Sequence, residues 1–503
     1  MQKTFILNRR ILFSVFRCLL LLTALSCKND DGSGAQLIVE PEIYELETVV
    51  EQNPSGIAPL TAYVTTEMVV AHTIDIVIKG KNDNDITHSF NKTKTSHKIP
   101  VLGLYADYNN KVIFTAKDDS GKILDEKTIT ILTPAIPEGE LPQIDILQSN
   151  LAERYTFVEH RRMTETLPFI FDEQGEVRWY LKLPERGLNP VISHTPELFF
   201  VGHRDNPVYY YYNWLGEKEE EFTLAESDMF AHHSKTPHSD EGDIVLIDNE
   251  EFIGSLIYHF DASGNVIKEW NLNQIIRQYL PNDQDMVRDS IDWFHSNHVS
   301  YDATDDTILV SGRASIGIIK LDYDTGDVIW ILGDIQRKWF QYPELQALAL
   351  LPTGATEMPL GQHSPVVLPN GNIFLMDNGF DGYDRKADED GLVDGGREYS
   401  RLVEYQIDEQ AKTATQVLQY GKELGLELYA RFAGSAGYDS ISKSKFGIFG
   451  SIRESGTSQG DMPKIEGRII EIDETGNLLF DAKVSSEVPT DFNFRTEKIE
   501  FYK

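Results

Sequence analysis

The stretch Asp172-Glu173-Gln174-Gly175-Glu176-Val177-Arg178-Trp179 is the clearest copy of a unit that recurs along the chain. The unit reads Asp-x-x-Gly-x-hydrophobic-x-aromatic, in which Asp and Gly favour a tight turn and the apolar residues after them favour a strand. Further copies, two of them degenerate, begin at Asp261, Asp324, Asp473, Trp214 and Asp408. Six copies of a turn that leads into a strand indicate a repeat architecture.

A second strand motif falls between these copies, around Ile244, Ile308 and Ile373. Two strand types repeated about six times, without long helical stretches, predict an all-β fold with a six-bladed β-propeller over residues 141–503. A large sandwich or barrel is the structural alternative, and the repeat opposes it. Only Leu272–Tyr279 and Trp339–Ala349 have helical patterns, and the uneven spacing of the copies predicts long loops on one face.

The residues before the repeats predict a separate N-terminal domain. Short strand patterns lie at 36–39, 61–65, 73–79, 111–116 and 127–132. About 100 residues with this spacing predict an Ig-like β-sandwich over residues 36–135. The proline-rich segment Pro134–Gly139 is a stiff linker that ends it.

Composition limits the possible functions. The chain has 503 residues, 41% of them hydrophobic, and a formal net charge of −34. Binding to nucleic acid or to anionic lipid headgroups requires basic surface, so this balance opposes both. An anionic substrate must therefore be attracted by a local cluster of cations and hydrogen-bond donors.

The N-terminus predicts an exported lipoprotein. A basic segment precedes the apolar run Ile11–Leu25, and Ser26 stands directly before Cys27, which predicts a signal peptide over residues 1–26. Cys27 would carry the lipid, and 27–35 would be a flexible tether to a bacterial outer membrane, facing the periplasm or the cell surface. Arg17 and the shortness of the run oppose a membrane-spanning helix. Because Cys18 would be removed, no disulfide would form in the mature chain.

Three histidines occupy equivalent places in three consecutive repeats. Of the 13 histidines, seven lie between His232 and His363. His233, His295 and His363 each precede one of the strands of the second motif. The innermost strand of each propeller blade lines the central channel, so we expect these three side chains to meet there, together with Arg313.

Any one of these histidines alone could be a structural residue that only forms hydrogen bonds. Their recurrence at the same place in three repeats favours a functional site. A cluster of three histidines also suits zinc or copper. However, a metal dication beside Arg313 would be costly, whereas an arginine among histidines suits an oxyanion. The sequence therefore predicts an oxyanion site without metal or cofactor.

Four blocks of sequence resemble the arylsulfate sulfotransferase family. The longest runs from Asp292-Trp293-Phe294-His295-Ser296-Asn297 through Ser311-Gly312-Arg313. Shorter blocks are Phe230–His233, Gly361–Ser364, and Asp377–Gly379 with Ser400–Tyr405. The resemblance covers the repeats and extends to the N-terminal domain.

The resemblance implies transfer of a sulfuryl group from a phenolic sulfate ester to a phenol, independent of a nucleotide sulfate donor. It implies that His363 is the nucleophile and becomes transiently sulfated. His295, Arg313 and one of His232 and His233 would bind the sulfuryl oxygens. We favour His233, because its distance to the following strand is closer to that of His363. The resemblance also implies a homodimer.

The lipid anchor and the lack of a spare cysteine depart from soluble members of this family. A further departure is the acidic segment Asp384–Glu398, either a calcium-binding loop or, as we favour, a solvated one. Two other functions remain open: a metal-dependent propeller hydrolase such as a lactonase or phosphoesterase, and a non-catalytic surface-binding propeller.

Overall fold

The computed structural model describes residues 44–502 except 152–153, 225, 239–240, 281–285, 381–395 and 454–464. The predicted signal peptide, Cys27, the tether, the strand at 36–39 and most of the acidic segment lie outside the described residues. In the part that is described, no helix is long and apolar enough to cross a membrane. Strands make up 52% of the structure and helices 5%, which confirms the all-β class.

The N-terminal domain is an antiparallel five-stranded sheet with the order β1-β2-β4-β5, in which β3 pairs with β2. Its strands are β1 Glu47–Gln52, β2 Ala62–Ile78, β3 Ile86–Val101, β4 Asn109–Lys117 and β5 Ile123–Leu132. A 3₁₀ turn, Lys81–Asp83, joins β2 to β3. The strands predicted at 61–65 and 73–79 are one long strand, β2, which continues through a break in register between Glu67 and His72.

The remaining strands form six antiparallel sheets. They are β6 Gln143–Ser149, β7 Tyr155–Arg161, β8 Thr166–Phe171, β9 Val177–Tyr180, β10 Val191–Ser193, β11 Leu198–Gly202, β12 Val208–Asn213, β13 Lys218–Thr223, β14 Phe230–Pro237, β15 Asp243–Asp248, β16 Leu256–Phe260, β17 Val266–Asn271, β18 Ser296–Asp302, β19 Thr307–Gly312, β20 Gly317–Asp322, β21 Val328–Leu332, β22 Leu351–Pro352, β23 His363–Val367, β24 Ile373–Asp377, β25 Arg401–Asp408, β26 Thr413–Tyr420, β27 Ser435–Asp439, β28 Ser444–Arg453, β29 Ile465–Ile472, β30 Leu478–Ser485 and β31 Phe492–Ile499.

Four of these sheets have four strands, in the orders β31-β7-β8-β9, β10-β11-β12-β13, β14-β15-β16-β17 and β18-β19-β20-β21. The other two have a fifth strand, in the orders β22-β26-β25-β24-β23 and β27-β28-β29-β30-β6; all pairings are antiparallel except that β22 runs parallel to β26. The two ends of this region are interlocked, because β6 pairs with β30 while β31 pairs with β7.

The recurring turn lies at the same place in all six sheets, in the hairpin before the last strand of the repeat. In the first copy, Oδ1 of Asp172 accepts the backbone N–H groups of Gln174 and Glu176, and Gly175 adopts a φ of +84°, which glycine tolerates. The equivalent side chains are Asn213, Asp261, Asp322, Asp408 and Asp473. The copy predicted from Asp324 therefore begins two residues earlier.

Both predicted helices are shorter than expected. The first is α1, Leu272–Arg277, which begins where the Asn271 side chain accepts the N–H of Gln274. The second is divided into a 3₁₀ turn, Lys338–Gln341, and a one-turn helix, α2, Pro343–Gln346. Proline at its first position starts a new helix there, because it cannot continue the preceding one. A further 3₁₀ segment is Lys422–Leu428.

The first strands of successive sheets lie side by side: β14 contacts β18, β18 contacts β23, β23 contacts β27, and β27 contacts β31. The predicted histidines lie on or next to three of these strands. The packing of first strands against one another therefore brings distant parts of the chain to one place.

Candidate active site

His363, the first residue of β23, has both its orientation and its tautomer fixed by one neighbour. Its Nδ1 lies 2.7 Å from Oδ1 of Asn378. The Nδ2 of Asn378 donates hydrogen bonds of 2.8 Å to the carbonyls of Ala430 and Ala433, so the amide oxygen faces the imidazole. His363 therefore carries its proton on Nδ1 and a lone pair on Nε2, which is the nucleophilic form of imidazole.

His295, directly before β18, is held by a carboxylate instead. Its Nδ1 donates a hydrogen bond of 2.5 Å to Oδ2 of Asp292. Arg313 follows β19, and its backbone N–H donates to the carbonyl of His295 at 3.1 Å. The two residues are thus neighbours across the β18–β19 pair, where the sequence places them.

His233, within β14, is held by a second histidine. The Nδ1 atoms of His233 and His232 lie 2.8 Å apart, and Nε2 of His232 lies 3.1 Å from Oδ1 of Asp248. Asp248, at the end of β15, also accepts the backbone N–H of Gly254. Both histidines of the pair therefore belong to the site: His233 faces it, and His232 connects it to a carboxylate.

Each of the three histidines lies within or next to a break in strand register. The register shift spans His233 in β14, begins one residue after His295 in β18, and begins directly after His363 in β23. Left-handed φ angles accompany the shifts: +47° at His233, +54° at His295 and +49° at Ser364. Such conformations are costly for residues other than glycine, and together with bulges they cluster at functional sites.

The side chains converge on one another and on the C-terminal strand. The ring centroids of His233 and His295 are 5.3 Å apart. The ring of Phe494, on β31, lies 5.5 Å from that of His233 and 6.0 Å from that of His363. Arg495 follows and donates from Nη2 to the carbonyl of His233 at 2.5 Å, so β31 closes the site on this side.

Burial and neighbouring cations keep the two innermost imidazoles neutral. Burial, with the charges of Arg313 and His295, lowers the pKa of His363 to about 3. Burial, with the charges of His232 and His295, holds the pKa of His233 well below its ordinary value. Near pH 7 the positively charged, doubly protonated form of either ring is therefore disfavoured.

Other histidines and tyrosines near these strands have structural surroundings. Nδ1 of His298 lies 3.4 Å from the hydroxyl of Ser234 and links β18 to β14. His238 lies outside the cluster, with its ring 4.2 Å from that of Tyr301. Tyr209–Tyr212 are buried and belong to the hydrophobic core.

Within the described ranges, no group of three or more His, Cys, Asp and Glu side chains is arranged to hold a metal ion. The Nδ1 atom of each site histidine is engaged by another side chain. What the site presents is a set of imidazoles with a guanidinium beside them, a combination suited to an oxyanion.

The family model of arylsulfotransferases matches residues 143–495, and the model of the arylsulfotransferase Ig-like domain matches residues 49–134. The chain belongs to the arylsulfotransferase family. It is a sulfotransferase enzyme, and its N-terminal sheet is the family's Ig-like domain. The family assignment made from the sequence blocks is thereby confirmed.

Two curated members of the family match nearly the whole length. The chain is 25% identical to arylsulfate sulfotransferase AssT of Escherichia coli O6:H1 and 24% identical to arylsulfate sulfotransferase AssT of Lelliottia amnigena. In each case the match covers 88% of this chain and 91% of the relative. Among solved structures, a protein of unknown function from Bacteroides caccae is similar at a TM-score of 0.41 and 9% identity, over 69% of this chain and 100% of that one.

Several residues of this candidate site were not identified as site residues from the sequence. Asn378 and Asp292 fall inside the family blocks. The available signals were that Asn378 directly follows a buried strand and that Asp292 lies three residues before His295. Asp248 ends a predicted strand without further marking. Phe494 and Arg495 carry no local signal at all, because only the pairing of the C-terminal strand with β7 brings them to the site.

Proposed function

We propose that this enzyme transfers a sulfuryl group from a phenolic sulfate ester to an acceptor phenol by a ping-pong mechanism through sulfated His363. The observation that carries the proposal is the geometry of His363: Nδ1 is hydrogen-bonded to an amide of fixed orientation, which leaves Nε2 as the nucleophile. The family and its AssT members, which are named arylsulfate sulfotransferases, support the substrate class.

In the first half-reaction, Nε2 of His363 attacks the sulfur of the donor, the N–S bond forms, and the S–O bond to the phenol oxygen breaks. In the second, an acceptor phenol attacks the same sulfur and the N–S bond breaks. A covalent intermediate divides one transfer into two similar steps. Because the pKa of His363 is about 3, its ring stays neutral and Nε2 keeps its lone pair for each cycle.

His295, Arg313 and His233 would bind the three sulfuryl oxygens. Sulfuryl transfer resembles phosphoryl transfer in its electrostatics, so donors fixed around the equatorial oxygens supply most of the catalysis. Arg313 contributes a permanent charge, and Asp292 fixes the ring of His295 through its Nδ1. No nucleotide, metal or other cofactor is required by this scheme.

We further propose that the six sheets form a six-bladed propeller with the site at its central channel. The support is threefold: six sheets with the same hairpin turn, first strands that contact one another in sequence, and the interlocking of β6 with β30 and β31 with β7. From the N-terminal residues alone we also propose a lipoprotein anchored through Cys27. A homodimer is proposed from family resemblance.

The test is incubation of the purified protein with 4-nitrophenyl sulfate, with and without an acceptor phenol, beside His363→Asn. We expect acceptor-dependent release of 4-nitrophenol, and a sulfate-sized mass increase on the wild type only. Absence of turnover and adduct across several aryl sulfates would refute the proposal. Stoichiometric metal lost together with activity on chelation would instead favour the metal-dependent hydrolase. Mass spectrometry of the mature N-terminus and light scattering of the full chain test the anchor and the dimer.

A further inference from the structure

The three site histidines differ in what holds Nδ1, and the difference divides their chemistry. His363 faces a neutral amide whose own hydrogen bonds prevent it from rotating. His233 faces a second imidazole, His232, which in turn faces the carboxylate of Asp248. His295 faces a single carboxylate, Asp292, so among the three only His233 has two titratable groups in series behind it.

We propose that His232 and Asp248 act as a proton relay behind His233, which returns to each departing phenol the proton taken from an acceptor phenol. This inference rests on the proposed sulfuryl transfer and adds two positioning residues to it. In this inference Nε2 of His233, assigned above to a sulfuryl oxygen, faces the phenol oxygen bonded to the sulfur; His232 and Asp248 act through it.

The heavy-atom geometry suits both protonation states of the relay. A distance of 2.8 Å between the two Nδ1 atoms requires one proton shared between them. In the protonated relay, His232 donates from Nδ1 and the proton on Nε2 of His233 points to substrate. In the neutral relay, His233 donates from Nδ1 and Nε2 carries a lone pair. In both states Nε2 of His232 carries a proton and lies 3.1 Å from Oδ1 of Asp248, an ion-pair distance.

The relay also solves a charge problem at His233. Its ring is partly buried beside His295, with Arg161 and Arg204 nearby, and these surroundings hold its pKa well below the ordinary value. A proton accepted from a phenol is therefore poorly held on His233 itself. Passed to His232, the same charge lies 3.1 Å from the carboxylate of Asp248, which stays ionised because burial is outweighed by its partners and its pKa is lowered.

The step balances over one cycle. In the first half-reaction the N–S bond forms, the S–O bond breaks, and the phenolate takes the proton from Nε2 of His233, while the proton on Nδ1 of His232 moves to Nδ1 of His233. In the second, the acceptor's O–H proton goes to Nε2 of His233 and the chain reverses as the S–O bond forms. The relay ends as it began, and His363 keeps its Nδ1 proton throughout.

The experiment compares donors that need a proton to different extents. With 4-nitrophenyl sulfate the leaving phenolate is stable unprotonated, whereas with phenyl sulfate it is far more basic. We expect Asp248→Asn and His232→Gln to lower single-turnover sulfation of His363 by less than about threefold with the first donor and by about 10²-fold with the second, the usual size of a general acid–base contribution. Asn keeps an acceptor for the N–H of Gly254, and Gln can hydrogen-bond but cannot relay a proton.

Asp292→Asn is the matched control, because it removes the carboxylate behind the other histidine, His295. We expect it to slow the sulfation of His363 by the same factor with both donors. An equal loss for both donors in the Asp248 and His232 variants, at unchanged unfolding midpoints, would show that these residues only support the structure. A donor-selective loss in Asp292→Asn alone would move the proton transfer to His295. If neither donor sulfates His363 in the wild type, the proposed function itself fails.

Discussion

The substitution Asn378→Asp tests whether the neutral partner of His363 is what keeps it nucleophilic. Asn378 is fully buried, and its oxygen lies 2.7 Å from Nδ1 of His363. Asp preserves the size of the side chain and the acceptor, but it adds a negative charge at the atom that contacts the imidazole. A carboxylate there stabilises the imidazolium and so raises the pKa of His363.

The expected effect depends on pH in a defined direction. With a pKa of about 3, His363 in the wild type is neutral throughout the range from about pH 5 to 8. If the carboxylate restores the ordinary value near 6.5, only about 3% of the variant is neutral at about pH 5, whereas nearly all of it is neutral at about pH 8. Because the neutral form attacks, sulfation should fall about 30-fold at the acid end and less than twofold at the alkaline end.

The assay is the single-turnover burst of 4-nitrophenol from 4-nitrophenyl sulfate without acceptor, measured for variant and wild type at each pH. Asn378→Ala is the control, since it removes the contact without adding charge and should lower the rate by a similar factor at every pH. A ratio of Asn378→Asp to wild type that stays constant from acid to alkaline pH would refute the reasoning. Both variants remove the amide donor from the carbonyls of Ala430 and Ala433, of which Ala430 keeps the hydroxyl of Ser400 at 3.2 Å. An unsatisfied buried carbonyl costs about 1–3 kcal/mol, so unfolding midpoints are measured beside the rates.

Three further outcomes follow from individual contacts. Gly254→Ala places a Cβ 2.3 Å from Oδ1 of Asp292 at a φ of +64°; we expect Asp292 to be displaced and initial rates to fall at least about tenfold, as for other misplaced catalytic groups. Asp377→Ala removes the carboxylate that lies 2.9 Å from the buried guanidinium of Arg401. The free energy of unfolding measured in urea should fall by about 3–5 kcal/mol; an unchanged value would show that the pair is dispensable. His363 has a lower pKa in the folded than in the unfolded state, so unfolding takes up a proton and the free energy of unfolding falls as the pH drops below about 6.5. Between about pH 6.5 and about pH 5, the free energy of unfolding of His363→Asn should therefore fall by about 2 kcal/mol less than that of the wild type.

The repeats could be predicted because each is specified by neighbouring residues. An Asp or Asn that accepts the N–H groups two to four residues later needs no distant partner, and the turn at Asp172 has the same hydrogen bonds as the one at Asp473. The same local character explains the placement of His295 and Arg313, which one strand pair brings together.

The parts that were missed depend on tertiary structure. β3, Ile86–Val101, was not predicted, because most of its side chains are polar and only its pairing with β2 makes it a strand. β1 was missed for the same reason, since five of its six side chains are exposed. Phe494 reaches the site through a pairing between residues more than 300 positions apart, which no local pattern can indicate.

The three site histidines show why residue identity alone could not assign their roles. Each lies within or just before a register shift of a first strand, two of them with a left-handed φ and the third directly before a residue with one, and the Nδ1 of each is hydrogen-bonded to a partner. In the proposed mechanism the partners then separate them: an amide keeps His363 neutral, a carboxylate holds Nδ1 of His295, and an imidazole backed by a carboxylate allows His233 to exchange a proton. Because the same side chain behaves differently only through that contact, exchanging the partner should exchange part of the chemistry. In the proposed mechanism, the identity of the second residue, more than that of the histidine, is what specifies nucleophile, oxyanion donor and proton carrier.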